Sequence, residues 1–228
     1  MVIIKNNVIK DQMHYKGTKV LSYKIEYPEF FNPKYQMSLN RINQHYRAKA
    51  MVYQRFLREN MYKMAVQQYE DSVANGFPVR AFEAILAYKV TFNQDCAISL
   101  YYDRYEYTGG AHGSTTRCSD TWNIQIGRRI RLSQLFAQSV DFVKYITRSV
   151  NEEIARQIQS GNDVYFEDYE KRVVKKFDPN NFYLTDEGIV IYYQQYDIAP
   201  YSTGIPEFLI PYKEGVVLRP RCKKALEV

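Results

Sequence analysis

A short glycine-rich segment contains one of the three histidines of this chain. Residues Tyr107 to Gly113 hold His112 together with Gly109, Gly110 and Gly113. Glycine has no steric penalty at positive φ, so such a cluster indicates a sharp turn or a close approach between the backbone and another group. The imidazole of His112 could bind a ligand or carry a proton, and it could equally satisfy backbone groups of its own loop. The structural interpretation is favoured, because no neighbour in the sequence completes a catalytic set.

A second segment, from Tyr196 to Tyr212, combines carboxylates and tyrosines with prolines. The two tyrosines that flank Pro200 could stack on sugar rings or anchor a protein partner, or they could simply close the end of a sheet. An acidic side chain of this segment could act with His112 on a polysaccharide or peptide, provided that the two loops converge on one cleft. The candidate ligand-binding residues of both segments are His112, Gly110, Gly113, Tyr196, Asp197, Tyr201 and Glu207.

Several catalytic and cofactor-binding patterns are missing from the sequence. Ser114 lies close to His112, yet no G-x-S-x-G nucleophile elbow is present. The histidines are scattered without zinc-site spacing, and the cysteines form no C-x-x-C pair. Neither a phosphate-binding loop nor a G-x-G-x-x-G run occurs. We therefore expect no metal and no cofactor, and we assign no catalytic residue.

Hydrophobic periodicity predicts the elements that position these loops. Alternation over about residues 8–30 predicts strands. A stripe at three- and four-residue spacing then predicts one long helix with Ser38 as its N-cap and Asn75-Gly76 as its end. The members of this stripe are Leu39, Ile42, Tyr46, Ala50, Tyr53, Leu57, Met61 and Met64.

From Ala84 the period changes to two, which predicts three strands joined by a turn at residues 93–95 and by the glycine loop. In the last of these strands, Trp122, Ile124 and Ile126 are expected to face the core. Ser139 is expected to open a further helix, and strands return near residues 182–193 and 208–212. The fold class is thus α/β (α+β), with antiparallel sheets packed against one long N-terminal helix and one or two helices in the C-terminal half.

Composition and charge restrict the classes of partner. The formal net charge of +6 favours an acidic partner, such as an anionic wall polymer, an acidic protein or nucleic acid. The basic residues of the long helix are Arg41, Arg47, Lys49, Arg55, Arg58 and Lys63, whereas its aromatic residues Tyr46 and Tyr53 belong to the apolar stripe. Charge and stacking surfaces therefore do not share a face, and no nucleic-acid partner is expected.

Compartment and cysteine state are also predicted from the sequence. The sequence contains neither a transmembrane segment nor a secretory signal, which predicts a cytoplasmic location, or an extracellular one if a leader has been removed. An odd number of cysteines favours free thiols, although a bridge between Cys96 and Cys118 is an alternative. The basic tail from Arg219 is expected to be frayed.

The glycine-histidine loop, the segment from Leu132 to Phe136 and the run from Tyr196 to Tyr212 together resemble a bacterial tandem of domains of unknown function. One half resembles the N-terminal domain of peptidoglycan deacetylase C. The other resembles the extracellular, lysozyme-sensing part of the anti-sigma-V factor. The predicted domains are residues 1–116 and 117–228.

The resemblance implies an α/β protein whose relatives work at the cell wall. Neither the deacetylase catalytic domain nor the sigma-binding segment has a counterpart in this sequence, so neither activity is carried over. The expected function is a non-enzymatic binding module for a lysozyme-like protein or a wall glycan. The alternatives are an enzyme that uses His112 with Asp197 or Glu207, and nucleic-acid binding by the basic helix.

Overall fold

The computed structural model describes residues 1–162 and 164–222. Within them the chain forms nine strands in two sheets, a long helix and further helices in the C-terminal half, so the predicted α+β class is confirmed. The chain divides into two compact units. The first unit comprises Val2–Tyr88 and Tyr102–Thr116, and the second comprises Met1, Lys89–Tyr101 and Arg117–Val228. None of the described helices is long and apolar enough to cross a membrane.

The larger sheet has six strands, which are hydrogen-bonded in sequence order. They are β1 (Ile3–Tyr15), β2 (Thr18–Phe31), β3 (Phe82–Gln94), β4 (Ala97–Tyr107), β5 (Ser114–Asn123) and β6 (Arg128–Arg129). Strands β1 and β2 form a long antiparallel hairpin, which turns at Lys16 and Gly17, both at positive φ. Strand β2 pairs with β3 in parallel. This pair differs from the expected all-antiparallel arrangement because the long helix between them returns the chain to the same end of the sheet.

The long helix runs as α1 (Gln36–Phe56), a π-helical turn (Leu57–Met61) and α2 (Tyr62–Ala74). The predicted stripe is buried from Leu39 as far as Met61, but Met64 is 52% exposed. A π turn inserts extra residues into the helical repeat and so shifts its phase, which brings Ala65 into the core instead. The predicted stop is confirmed, with Gly76 at φ +69° directly after the helix.

The predicted N-cap of the long helix is wrong. Helix α1 already begins at Gln36, and the Ser38 hydroxyl lies inside its first turn, where it donates to the Tyr35 carbonyl at 2.9 Å. A 3₁₀ turn over Pro33–Tyr35 precedes the helix, and its cap is the side chain of Asn32, which accepts from Lys34 N. The polar cap therefore stands at Asn32, six residues before the predicted position at Ser38.

The second unit is built around the smaller sheet and two helices. Its elements are α3 (Phe142–Gln159), α4 (Tyr169–Lys175), β7 (Phe182–Leu184), β8 (Gly188–Tyr192) and β9 (Glu207–Pro211). The three strands pair in antiparallel order, and α3 packs Ile146, Val150 and Ile154 into the core of the unit. Ser139 does not cap α3. The carboxylate of Asp141 does, and it accepts from Lys144 N at 3.1 Å.

Two further expectations in this unit are corrected. Trp122 and Ile124 are buried as predicted, but Ile126 is 55% exposed, because β5 ends at Asn123 and the chain then turns. The turn between β3 and β4 is Asp95-Cys96, where both residues have positive φ, so it overlaps the predicted turn only at Asp95.

The cysteines are not all free thiols. Cys96 forms a disulfide with Cys222, and Cys118, the expected alternative partner, is a free and exposed thiol. Residues 219–222 are also not frayed, since Arg219 Nε bonds the Asp95 carboxylate at 2.9 Å. The rest of the tail that was expected to fray, residues 223–228, lies outside the described residues.

Candidate functional site

The loop after β8 presents two tyrosine rings side by side. Tyr196 is 53% exposed, and its backbone adopts φ +66°. Tyr201 is half-buried and opens a short 3₁₀ turn. The two ring centroids lie 5.9 Å apart, with the ring planes at 32°. A left-handed backbone is unfavourable for a bulky side chain, so the surrounding structure must hold Tyr196 in place.

The loop is fixed on both sides of this pair. Ile198 and Ala199 are buried in the core of the second unit. The Ile198 carbonyl accepts from Phe166 N at 3.1 Å, and Tyr193 N donates to the Pro206 carbonyl at 3.0 Å. These contacts hold the backbone of the loop while the rings remain at the surface.

Asp197 holds the turn that carries Tyr196. One carboxylate oxygen accepts from the backbone N–H of Gln194 at 3.0 Å, and the other lies 3.3 Å from Lys176 Nζ. Only 17% of the Asp197 side chain is exposed. This arrangement stabilises the turn, and it places Asp197 beside the tyrosine pair as a supporting group.

Glu207 stands at the start of β9 and pairs with an arginine that the sequence reasoning missed. One of its carboxylate oxygens accepts from Arg117 Nη1, and the other accepts from the Tyr183 hydroxyl at 2.9 Å. Arg117 is buried, and its guanidinium carbon lies 3.8 Å from the ring centroid of Tyr101. Burial raises the pKa of the Tyr183 hydroxyl, and the Glu207 charge raises it further.

Gln194 connects Arg117 to the tyrosine loop. Its side-chain carbonyl accepts from Arg117 N at 3.0 Å, and its side-chain amide donates to the Arg117 carbonyl at 2.7 Å. The same residue offers its backbone N–H to Asp197. In the sequence, the only sign of this network is an arginine inside a strand. The alternation of that strand alone predicts that this side chain faces solvent.

The glycine-histidine loop lies in the first unit. A Cβ on Gly113 would lie 2.3 Å from the Tyr105 ring, so a close approach requires glycine at this position. The Gly110 carbonyl accepts from the Tyr107 hydroxyl at 3.1 Å, and His112 Nδ1 lies 2.9 Å from the Gly113 carbonyl. The Gly110 carbonyl also accepts from Arg80 Nη1 at 3.1 Å, so the loop is tied to a residue outside it as well as to itself.

The second unit brings four of the predicted site residues into one connected region. Tyr196 contacts Tyr201 directly, and Asp197 reaches Glu207 through Gln194 and Arg117. The other three predicted residues, Gly110, His112 and Gly113, form the separate loop of the first unit. The tyrosine pair is the part of this region with a ring open to solvent and a fixed backbone, and it is therefore the candidate site.

Two family models match the chain. Residues 15–115 match the family described as Deacetylase PdaC, and residues 133–213 match the family described as a protein of unknown function, DUF3298. The two matches lie in tandem along the chain, which confirms the predicted resemblance to such a tandem of domains.

Individual relatives are distant. The chain is 21% identical over 184 residues to the peptidoglycan-N-acetylmuramic acid deacetylase PdaC of Bacillus subtilis, a match that covers 79% of this chain and 35% of that protein. The chain thus spans about a third of that relative's length.

Two solved structures share the fold. A DUF3298 family member from Bacteroides fragilis superposes with a TM-score of 0.68 at 20% identity, covering 96% of this chain and 94% of that one. A DUF3298 family protein from Pseudomonas aeruginosa superposes with a TM-score of 0.60 at 19% identity, covering 95% and 94%. At these identities the likeness shows the fold alone.

Proposed function

We propose that this tandem of a PdaC domain and a DUF3298 domain is a non-enzymatic binding module, which contacts a cell-wall-related ligand through Tyr196 and Tyr201. The observation that carries the proposal is the exposed ring of Tyr196, held at φ +66° on a loop in which Ile198 and Ala199 are buried. Unusual backbone conformations of this kind concentrate at ligand-contacting positions.

The geometry of the loop suits recognition. Tyrosine is enriched among the residues that dominate binding energies, because it combines a large apolar ring with a polar tip. The contacts of Asp197, Ile198 and Ala199 fix the loop before any ligand arrives. Binding to a loop that is already ordered costs less conformational entropy.

The ligand is a wall glycan or a lysozyme-like protein. One relative is named for its action on peptidoglycan, and the resemblance to a lysozyme-sensing extracellular region supports the protein partner. Two tilted rings can stack on a sugar or fill a pocket of a protein surface. The positive net charge favours an anionic wall polymer over a basic protein.

The disulfide supports a location outside the cytoplasm. Structural disulfides persist in oxidising compartments and are rare where thiols are kept reduced. The bridge between Cys96 and Cys222 joins residues that are 126 positions apart. An extracytoplasmic module would meet wall glycans and lysozyme-like proteins directly, which fits the proposed ligands.

The enzyme alternative is not favoured. The carboxylates of Asp197 and Glu207 are held by Gln194 N, Lys176, Arg117 and Tyr183. A general acid or base must be free to exchange its proton with a substrate group. These contacts instead favour a stabilising role for both side chains.

The experiment compares binding by the native chain and by Tyr196→Asn. Asparagine tolerates a left-handed backbone, so this substitution removes the ring while keeping the loop conformation. Calorimetric titration with lysozyme and with soluble peptidoglycan fragments should show heat for the native chain with one ligand, and a loss of at least about tenfold in affinity for Tyr196→Asn. Leu209→Ala, which removes a 42% exposed apolar side chain from β9, is the control and should bind normally. Absence of heat with both ligands at high micromolar concentration would refute the proposal.

A further inference from the structure

We propose that a groove in the first unit, between the β1–β2 hairpin and α1, binds an oligosaccharide that carries a carboxylate. Its volume is about 660 Å³, within the range of about 300–1,000 Å³ that small-ligand sites occupy. The proposal does not depend on the tyrosine loop of the second unit, because none of the groove residues belongs to that loop.

On the side of α1, the groove is lined by a stripe of mostly polar residues that runs next to the buried apolar stripe of the helix. Each residue of this stripe either comes directly after a buried residue of α1 in the sequence or lies one helical turn from another member of the stripe. All of them therefore lie along one edge of the helix. They are Asn40, Asn43, Gln44, Arg47, Met51 and Gln54. Four of these six side chains are amides, a density that a solvated helix face does not require. The facing wall includes Asn7, Ile9, Tyr27 and Glu29 from the hairpin.

Some of these groups build the frame of the groove. The Asn43 side chain bonds both backbone groups of Phe30, accepting at 2.8 Å and donating at 2.9 Å, and so ties α1 to β2. Glu29 is neutralised by Lys5, whose Nζ lies 3.5 Å from the carboxylate, and it also accepts from Asn7 Nδ2 at 3.4 Å. The walls are therefore held in place without a ligand.

Other groups are available for a ligand. Among the described residues, the Tyr27 hydroxyl, the Gln44 amide and the Arg47 guanidinium make no hydrogen bond or ion pair with another side chain. Since Lys5 already balances Glu29, the unbalanced charge in the groove is the positive charge of Arg47. The free groups are thus a cation, an amide and a phenol grouped around one cavity.

This set of groups matches an acidic sugar chain. Amide side chains donate to and accept from hydroxyl and acetamido groups, and a guanidinium binds a carboxylate through paired hydrogen bonds. The ring of Tyr27 and the thioether of Met51 offer apolar surface to the face of a sugar ring. A purely anionic peptide would use Arg47 and leave the amides unused.

The test uses two tetrasaccharides that share one backbone. One is the N-acetylglucosamine tetramer, which is neutral. The other alternates N-acetylglucosamine with N-acetylmuramic acid and so adds lactyl carboxylates. The acidic tetrasaccharide should bind the full chain at least about tenfold more tightly than the neutral one, as expected for one charge-assisted contact. Arg47→Gln should remove that difference, and Arg41→Gln, on the same helix but outside the groove, should preserve it.

Further measurements distinguish this site from a general anion-binding surface and from the tyrosine loop of the second unit. Gln44→Ala should weaken both tetrasaccharides, and a short polyglutamate peptide should bind more weakly than the acidic sugar. Tyr196→Asn should leave the difference between the sugars intact, which distinguishes this site from the loop of the second unit. The proposal is overturned if the acidic tetrasaccharide does not bind, if its advantage survives in Arg47→Gln, or if polyglutamate binds equally well. Because Arg47 is exposed, its variants should melt with the native chain.

Discussion

The guanidinium of Arg117 stacks on the ring of Tyr101, with the guanidinium carbon 3.8 Å from the ring centroid, and donates at the same time to the carboxylate of Glu207. Arg117 is 8% exposed. A buried arginine is tolerated only when its charge is balanced and its donors are satisfied. The pair with Glu207 therefore belongs to the structural support of the second unit, close to the tyrosine loop.

Glu207→Gln should lower the free energy of unfolding by about 1–3 kcal/mol, because the amide has one oxygen where the carboxylate serves both Arg117 and Tyr183. Urea denaturation followed by circular dichroism measures the change. Glu187→Gln, an exposed glutamate in the turn before β8, is the matched control and should stay within about 0.5 kcal/mol. Equal stability of the two variants would show that the Arg117 pair contributes nothing.

Gly113→Ala should destabilise the first unit, because the new Cβ would lie 2.3 Å from the Tyr105 ring. Overpacking of this kind costs about 1–3 kcal/mol. Gly110→Ala is the control within the same loop, since the nearest atom to its new Cβ would be the His112 carbonyl oxygen at 4.0 Å. Thermal melting of both variants should separate them, and identical melting temperatures would contradict the observed close approach.

In the double variant Cys96→Ser/Cys222→Ser the free energy of unfolding should fall by about 2–5 kcal/mol, because the bridge closes a loop of 126 residues in the unfolded chain. Cys118→Ser should melt with the native protein, since Cys118 is a free and exposed thiol. Alkylation followed by mass spectrometry gives an independent check. Unreduced protein should take up one label, and reduced, unfolded protein should take up three, one for each cysteine of the chain. Three labels without reduction would exclude the bridge.

Stability should fall at alkaline pH. Burial raises the pKa of the Tyr212 hydroxyl to about 12 from its usual value of 10.0, and burial also raises the pKa values of Tyr183, Tyr192 and Tyr193. A group whose pKa is higher in the folded state than in the unfolded state stabilises the protein fully at pH values below its unfolded-state pKa. This stabilisation is lost as the pH rises through its folded-state pKa. The loss should therefore begin above about pH 10.

Absorbance at 295 nm, which follows phenolate formation, measures the same effect directly. In the folded chain, a set of tyrosines should ionise at higher pH than the same tyrosines do in urea. In urea all tyrosines should titrate together. A single transition at the usual pKa in the folded protein would contradict the burial of these hydroxyls.

The sequence alone determined the elements and several of their ends. The apolar stripe from Leu39 to Leu57 has only one face that can be buried, so its periodicity predicts a helix and its core side together. Gly76 was readable as a stop because a left-handed residue after a helix favours glycine. The sequence also showed that Tyr196 and Tyr201 share one loop around Pro200, whereas the contact between their rings came from the structure.

Tertiary structure decided the features that depend on distant partners. The π turn at Leu57–Met61 moves the buried stripe from Met64 to Ala65, and no local pattern marks that shift. Arg117 reads as a solvent-facing strand residue until Glu207, 90 positions later, supplies its counter-charge. The partner of Cys96 lies 126 positions away. Hydrophobic periodicity reports which side of an element is buried, but the pairing of charges, thiols and hydrogen bonds depends on which elements meet, and that is fixed only when the chain folds.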